Sequence, residues 1–197
     1  LEDQRLLEIL SQSTNTISEG EVLQLINTRD PDTTESSYMR VIHDKTAKMF
    51  ESAAETGAVL GARTGPDRCQ EFATFGLHLG IAFQLIDDVL DYQGDVSELG
   101  KNVGDDLAEG KPTLPLIYAI QHGAPQHADL IKSSIRGGLD HLSEIVDIVR
   151  DCGGLSYTIE RAAEHTERAL DALSSVPESP YKDALRRLAE ESLQRTY

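Results

Sequence analysis

The nine-residue stretch FQLIDDVLD, residues 83–91, decides the fold expected for this chain. It places an amide, Gln84, and three carboxylates, Asp87, Asp88 and Asp91, in a segment whose other positions are apolar. Residues three and four apart share a face of an α-helix, so these polar side chains form one stripe on an otherwise buried helix. Three carboxylates at this spacing repel one another and resist ionisation unless a cation joins them.

The chemistry of this stripe favours Mg²⁺. Oxygen ligands without Cys or His suit a hard divalent cation, which keeps several waters and is usually completed by phosphate oxygens of the substrate. A solvated acidic face is the alternative, and the chain has 34 acidic residues to supply one. The flanks of the stripe are Leu, Ile, Val and Phe rather than polar residues. The pattern therefore predicts a magnesium–phosphate site lining a cavity.

Helical periodicity extends outward from this stretch in both directions. A first helix is predicted to end near Asn27, and a second to run to about Gly61 with Tyr38, Val41, Ile42, Met49 and Ala53 on its apolar face. The helix that carries the stripe is predicted to restart at the break Gly65-Pro66-Asp67 and to continue through Asp91.

The C-terminal half adds five shorter helical patterns after one irregular segment. Residues 94–112 hold glycines, acids and two lysines with little periodicity, which indicates a functional loop. Helices are then predicted at 113–122, from Pro125, at 139–152, and at about 155–173 and 181–188. Strand-like alternation is absent from the sequence. We therefore expect an all-α helical bundle forming a single domain over residues 1–197.

Composition excludes several classes of function. The chain has 34 acidic and 18 basic residues and a net charge of −16, which argues against nucleic acid because phosphate backbones require clustered Lys and Arg. Uninterrupted apolar runs fall short of a membrane span, so no transmembrane segment is predicted. Cys69 and Cys152 form neither a disulfide framework nor a metal-ligand pattern, and we expect reduced thiols in a cytoplasmic protein.

Three lysines are the candidate partners for an anion. Lys45 lies four residues from both Val41 and Met49, on the predicted apolar face, where it must extend to solvent or meet a buried anion. Lys101 and Lys111 bracket a glycine-containing loop that is not a Walker loop, since its glycine spacing is wrong and no strand precedes it. Packing or solvation explains each lysine alone, but an anion-binding role is favoured beside the Asp stripe.

Taken together, these residues resemble a known family. FQLIDDVLD at 83–91, Gly100-Lys101 and GDDLAEGKPTLP at 104–115 are similar to the second aspartate-rich region of the trans-polyprenyl diphosphate synthases. EGEVLQ at 19–24 and residues 38–50, with Lys45-Thr46-Ala47, resemble the two preceding helices of that family. The resemblance covers essentially the whole chain and is strongest to the bacterial members that make the octaprenyl side chain of quinones.

The resemblance implies an isoprenoid-synthase-type helical bundle and a Mg²⁺-dependent condensation of an allylic diphosphate with isopentenyl diphosphate. It implies that Asp87 is the main metal ligand, that Asp88 and Asp91 hold secondary positions, and that Asp105 supports the metal's water shell. Lys45, Lys101 and Lys111 correspond to diphosphate-binding lysines. Thr46 and Gln84 correspond to residues that direct oxygen dipoles toward the cationic carbon. The family also implies a homodimer.

One departure from the family is large. The first DDxxD motif with its Arg pair, and the residues for isopentenyl diphosphate and product length, do not occur in this sequence. We therefore expect the C-terminal portion of a synthase domain with its N-terminal helices missing, and a fragment that does not elongate chains alone. Helices without their partners are expected to expose apolar surface and to associate.

Three other functions remain as alternatives. A non-catalytic subunit of a heteromeric prenyl synthase is disfavoured by the intact set of aspartates and lysines. A class I terpene cyclase shares the bundle and the metal, but the lysine-bearing segments favour the synthase. A plain helical interaction module with an acidic surface would be indifferent to loss of the Asp87 carboxylate.

Overall fold

The computed structural model of this chain describes residues 4–61, 66–93, 104–137 and 141–195, and these residues are almost entirely helical with no strand. The predicted all-α class is confirmed. The elements are α1 (Gln4–Asn27), α2 (Glu35–Ile42), a π-helical turn (His43–Ala47), α3 (Lys48–Leu60), α4 (Pro66–Leu90), α5 (Asp105–Ala108), α6 (Leu114–His122), α7 (Pro125–Ile135), α8 (Leu142–Asp151), α9 (Gly154–Ala172) and α10 (Pro180–Gln194).

The π-helical turn His43–Ala47 changes the face that α3 presents to the interior. A π turn inserts one extra residue into the helix, which rotates every later position by about 100°. Met49 is therefore 61% exposed and Ala53 is exposed, whereas Ser52 is buried. The sequence prediction that Met49 and Ala53 share an apolar face with Val41 is wrong for this reason.

Two compact units divide the chain, and each has its own apolar core. The first comprises residues up to 21, 41–84 and 162–195, and the second comprises residues 22–40 and 85–161. The core of the first unit contains Phe75, Leu79, Ala169, Leu173 and Ala189. The core of the second unit contains Tyr92, Leu107, Leu116, Ala119, Ile131, Ile135, Ile145, Val146, Ile148, Val149 and Leu155. The single domain expected over residues 1–197 stays a prediction.

Helix α1 exposes a large share of its apolar side chains. Leu7, Leu10, Val22, Leu25 and Ile26 are between 56% and 68% exposed. Apolar side chains gathered on one helix at this level of exposure mark a surface suited to association. The expected exposed apolar surface is therefore present, and association through it stays a prediction.

Helix α4 is long and apolar enough to be compared with a membrane-spanning helix. Within the described residues, Arg68–Leu90 is the one stretch with the length and composition to cross a membrane, and 67% of its most apolar window is buried inside the protein. A core helix and a membrane span both meet this test. Burial on that scale is what a core helix shows.

Candidate diphosphate and metal site

The π-helical turn presents Lys45 and Thr46, and two glycines let neighbouring helices approach it. A Cβ on Gly20 of α1 would lie 2.6 Å from the Lys45 backbone nitrogen. A Cβ on Gly80 of α4 would lie 2.7 Å from the Cα of Ala47. Because neither glycine could carry a side chain without movement of backbone, close helix packing fixes the turn. π turns of this kind often occur at functional sites.

Each of the two predicted residues on the turn has a polar partner within the first unit. The Lys45 Nζ lies 2.8 Å from the Glu21 Oε2, with the two side chains 35% and 51% exposed. The Thr46 hydroxyl donates to the Gln84 Oε1 at 3.0 Å. The structure therefore brings Thr46 and Gln84 together, and the role predicted for the two residues stays a prediction. The hydroxyl proton of Thr46 is directed at the amide, which leaves the oxygen lone pairs of Thr46 to face another direction.

The C-terminal end of α10 also reaches α4 in this unit. The Arg195 guanidinium lies 4.1 Å from the centroid of the Phe83 ring and donates to the Phe83 carbonyl oxygen at 3.2 Å. That ring packs 5.3 Å from the ring of Phe50. Sequence analysis missed Arg195, since a cation–π contact between residues so far apart in the chain leaves no local signal.

In the second unit, Asp88 is a buried hydrogen-bonding group. Its side chain is 2% exposed, and its Oδ2 accepts the Tyr38 hydroxyl proton at 2.5 Å. Burial, and next the charge of Asp88, raise the pKa of Tyr38 well above its ordinary value, so the phenol keeps its proton and acts as donor. Asp87 is more exposed than Asp88. This difference fits a direct ligand at Asp87 and a supporting position at Asp88, which stay predictions.

Asp91 caps the short helix α5. Its two carboxylate oxygens accept the backbone N–H groups of Asp105 at 3.1 Å and Asp106 at 3.3 Å. The Asp91 carbonyl oxygen accepts the Gly104 N–H at 2.9 Å, and Gly104 has φ +82°, a left-handed conformation that favours glycine. The segment expected to be an irregular loop thus contains a helical turn, and Asp91 holds the start of that turn beside α4.

Lys111 lies against the carboxylates of the same segment. Its Nζ is 2.6 Å from the Glu109 Oε2 and 2.9 Å from the Asp106 Oδ1. Burial lowers the pKa of Lys111, but the hydrogen bonds to Glu109 and Asp106 outweigh burial and leave this pKa above its ordinary value. Lys111 therefore stays charged next to the acidic cluster. Lys101 lies outside the described residues.

The second unit concentrates negative charge around α5. Burial, and next the charge of Asp106, raise the pKa of the Asp91 carboxyl to about 7. Tyr92, fully buried, also lies in the field of Asp91, Asp106 and Asp88. Among the described residues, Lys111 contacts two of these carboxylates, Asp106 and Glu109. The cluster is electrostatically suited to a cation.

The donor set fits Mg²⁺ on its chemistry. Within the described ranges, no three carboxylate, imidazole or thiol groups converge closely enough to hold a metal ion by themselves. Mg²⁺ does not require three, because it commonly binds one or two carboxylates and takes its other ligands from water and substrate phosphates. The aspartates of α4 therefore suit a metal that arrives with a diphosphate better than a permanently bound structural ion.

A cavity of about 530 Å³ in the second unit contains none of the predicted site residues. It is lined by His127, His141, Ser143, Glu144, Asp147, Ile148 and Asp151. Its groups do not meet the requirement for a metal ion either. The cavity therefore stands apart from the chemistry predicted for the chain.

Besides Arg195, three site residues were missed by sequence analysis: Glu21, Tyr38 and Asp106. Asp106 had a usable signal, since it neighbours Asp105 in an acidic turn that precedes Lys111. Tyr38 was interpreted as part of an apolar face because its hydroxyl partner is 50 residues away in the chain. Glu21 carried no signal other than its place beside Gly20. Contacts between distant elements explain two of these three omissions.

Comparison with known proteins agrees with the resemblance found in the sequence. The family model described as Polyprenyl synthetase matches residues 1–152. Octaprenyl diphosphate synthase of Escherichia coli is 48% identical over 97% of this chain and 59% of its own length. The all-trans-nonaprenyl-diphosphate synthase (geranyl-diphosphate specific) of Rhodobacter capsulatus is 48% identical over 99% of this chain and 60% of its own length.

Solved structures agree on the fold. The polyprenyl synthase of Caulobacter crescentus, solved in complex with calcium and isoprenyl diphosphate, superposes with a TM-score of 0.92 at 37% identity, covering 98% of this chain and 60% of that one. The chain thus spans about 60% of the length of the relatives it matches. The isoprenoid-synthase-type fold predicted from the sequence is confirmed, and the chain belongs to the polyprenyl synthetase family.

Proposed function

We propose that this chain is the part of a long-chain trans-prenyl diphosphate synthase that binds the allylic diphosphate and its Mg²⁺. The product is proposed to be octaprenyl-like and to serve as a quinone side chain, because the octaprenyl and nonaprenyl enzymes named above are each 48% identical to the chain. Isopentenyl diphosphate is the proposed second substrate. Since the chain spans only about 60% of those relatives, their whole activity is a proposal here.

The observation that carries this proposal is the acidic cluster around α5. Asp91 bonds to the backbone of two further aspartates, Asp105 and Asp106, and Lys111 lies against the carboxylate of Asp106. An arrangement of crowded carboxylates beside a lysine matches the charges of a metal–diphosphate complex, in which the cation meets the acids and the phosphate oxygens meet the lysine.

The reaction proposed for the complete site begins when the allylic C–O bond breaks and its electron pair leaves with the diphosphate. The double bond of isopentenyl diphosphate attacks the allylic cation, and a proton is lost to regenerate an alkene. Lys45, Lys101 and Lys111 bind oxygens of the departing diphosphate. Thr46 and Gln84 direct oxygen dipoles toward the cationic carbon.

The metal contributes charge. Mg²⁺, when bound, stabilises the negative charge that develops on the diphosphate. Asp87 is the proposed direct ligand, Asp88 and Asp91 would hold secondary positions, and Asp105 would support the metal's water shell. Asp88 is suited to a supporting role by its hydrogen bond from Tyr38, and Asp91 by its bonds to the start of α5.

Calorimetric titration with inorganic pyrophosphate tests this proposal on the chain itself. Binding should require Mg²⁺ and should fall at least about tenfold in Asp87→Ala, since one carboxylate ligand to a divalent ion is lost. Asp129→Ala removes an exposed carboxylate from α7 in the same unit and serves as the matched control. Equal binding by both variants, or binding indifferent to Mg²⁺, would contradict the proposal.

The sequence encoded upstream of Leu1 tests the elongation step. A DDxxD motif followed by an Arg pair there, together with incorporation of labelled isopentenyl diphosphate by the whole gene product, is the expected result. A gene product that lacks both would instead be the non-catalytic subunit of a heteromeric synthase. We also propose a homodimer and a cytoplasmic location, which gel filtration and cell fractionation would check.

A further inference from the structure

We propose that Glu21 is an internal counter-ion that occupies Lys45 before substrate arrives and releases it when a diphosphate binds. The inference rests on the diphosphate-binding role proposed above for Lys45. It adds a residue that competes with substrate and so sets the affinity of the site.

The ion pair has the geometry of an exchangeable contact. The Glu21 Oε2 lies 2.8 Å from the Lys45 Nζ, and the two side chains keep 51% and 35% of their surface exposed. Ion pairs at this exposure contribute little to stability because water screens both charges. A diphosphate offers more charge and more acceptor oxygens than one carboxylate, so it displaces Glu21 from the lysine.

The pairing is built into the fold through Gly20. A Cβ at that position would lie 2.6 Å from the backbone nitrogen of Lys45 and 2.8 Å from the carbonyl carbon of Asp44, so the backbone of α1 lies directly against the π-helical turn. Glu21 follows Gly20 and is therefore brought to Lys45 by backbone packing, in addition to the reach of its side chain. The Glu21 carboxylate at this position therefore repels any anion that approaches Lys45.

The expected consequence is that loss of the Glu21 charge tightens diphosphate binding. Glu21→Gln keeps the size of the side chain and removes its negative charge. We expect the affinity for inorganic pyrophosphate to rise about threefold to tenfold at low ionic strength, because one competing charge near the anion is gone. The gain should shrink at high salt, which screens exposed charges.

The experiment is a pyrophosphate titration of the chain in Mg²⁺ at about 20 mM and about 500 mM salt, chosen to span strong and weak screening. Glu19→Gln is the matched control: it removes the same charge from another exposed position of α1, two residues away and on a different face of the helix, where its Oε1 accepts a hydrogen bond from Asn15. Lys45→Met keeps the apolar stem and removes the charge, and it supplies the background for a double variant. Thermal melting of every variant verifies that the fold is retained.

Each outcome is decisive. A gain in Glu21→Gln that exceeds Glu19→Gln and disappears in the Lys45→Met background supports the proposal. Equal effects of the two glutamate variants, weaker binding in Glu21→Gln, or a gain that persists without Lys45 would overturn it. Absence of pyrophosphate binding by the unsubstituted chain would instead reject the diphosphate site itself, and the two failures are thereby distinguished.

Discussion

The turn that carries Lys45 and the segment that carries Lys111 hold their lysines by different forces. Around Lys45, helices approach through Gly20 and Gly80, and packing of backbone on backbone fixes the turn. Around Lys111, polar bonds among Asp91, Asp106 and their neighbours fix the segment. The turn around Lys45, the first region, should therefore be destabilised when side-chain volume is added at these glycines. The segment around Lys111, the second region, should be destabilised when one hydrogen-bonding group is removed.

Gly80→Ala is the largest expected effect and tests the first half of this contrast. The added Cβ would meet the Ala47 Cα at 2.7 Å, which backbone must move to relieve, and we expect a loss of about 2–3 kcal/mol. Gly57→Ala is the matched control, because that position in α3 has open space around its Cβ and should gain about 0.5–1 kcal/mol. Urea denaturation measures both, and equal effects would remove the role assigned to packing.

Local patterns predicted α4 and its polar stripe because helical periodicity depends only on neighbouring residues. Its predicted end at Asp91 differs by one residue from the observed end at Leu90. The same reasoning failed at Met49, since nothing in the local sequence reveals that a π turn inserts an extra residue and rotates the helix. Periodicity thus locates helices well, but it predicts which face of a helix is buried only where the helix is regular.

Partners of the site residues were harder to predict than the residues themselves. The aspartates and lysines were selected by residue type and spacing, which the sequence contains. The bonds of Lys45 to Glu21, and of Asp88 to Tyr38, join helices that are distant in the chain. Those bonds depend on tertiary packing. A single sequence therefore predicts which residue types form the site, but not which partners set their charges and hydrogen bonds.

Tyr38→Phe tests how much a polar bond near the segment around Lys111 contributes to stability, by a substitution that keeps the shape of the side chain. The variant removes only the hydroxyl that donates to Asp88, a side chain that is 2% exposed. A buried carboxylate that loses a donor costs about 1–2 kcal/mol, so the unfolding midpoint in urea should fall accordingly. Tyr181→Phe, at an 84% exposed position, should change nothing. A neutral result at Tyr38 would mean that packing rather than this hydrogen bond holds Tyr38 against Asp88.

Asp91→Ala is expected to have a smaller effect. It removes the cap of α5, which costs about 1 kcal/mol, but it also removes a carboxylate whose charged form is disfavoured by burial and by Asp106. Asp91→Asn keeps one oxygen acceptor and should lose less. Amide hydrogen exchange at Asp105 and Asp106 reports the cap directly. Unchanged exchange at both amides in Asp91→Ala would show that α5 does not depend on this carboxylate.

The smallest expected effect is a pH dependence in the first unit, where packing otherwise dominates. The Nδ1 atoms of His78 and His165 lie 3.0 Å apart, and His165 is 4% exposed. Burial, and next the charge of Arg168, lower the pKa of His78 below its ordinary 6.5. The unfolded chain then binds a proton that the folded chain resists, so the stability from this group is complete above about pH 6.5 and declines as the pH falls below it.

The variant His78→Gln should remove part of this decline. We expect its unfolding midpoint, measured relative to that of the unsubstituted chain, to be higher at about pH 5.5 than at about pH 7.5, since the titrating group of ordinary pKa about 6.5 is gone. His122→Gln, at an exposed position, should keep the original slope. Should His78→Gln show the same slope as the unsubstituted chain, His78 would not contribute to the decline. The carboxylates would not explain such a decline either, because the pKa of Asp91, raised to about 7, adds stability as the pH falls and so acts in the opposite direction.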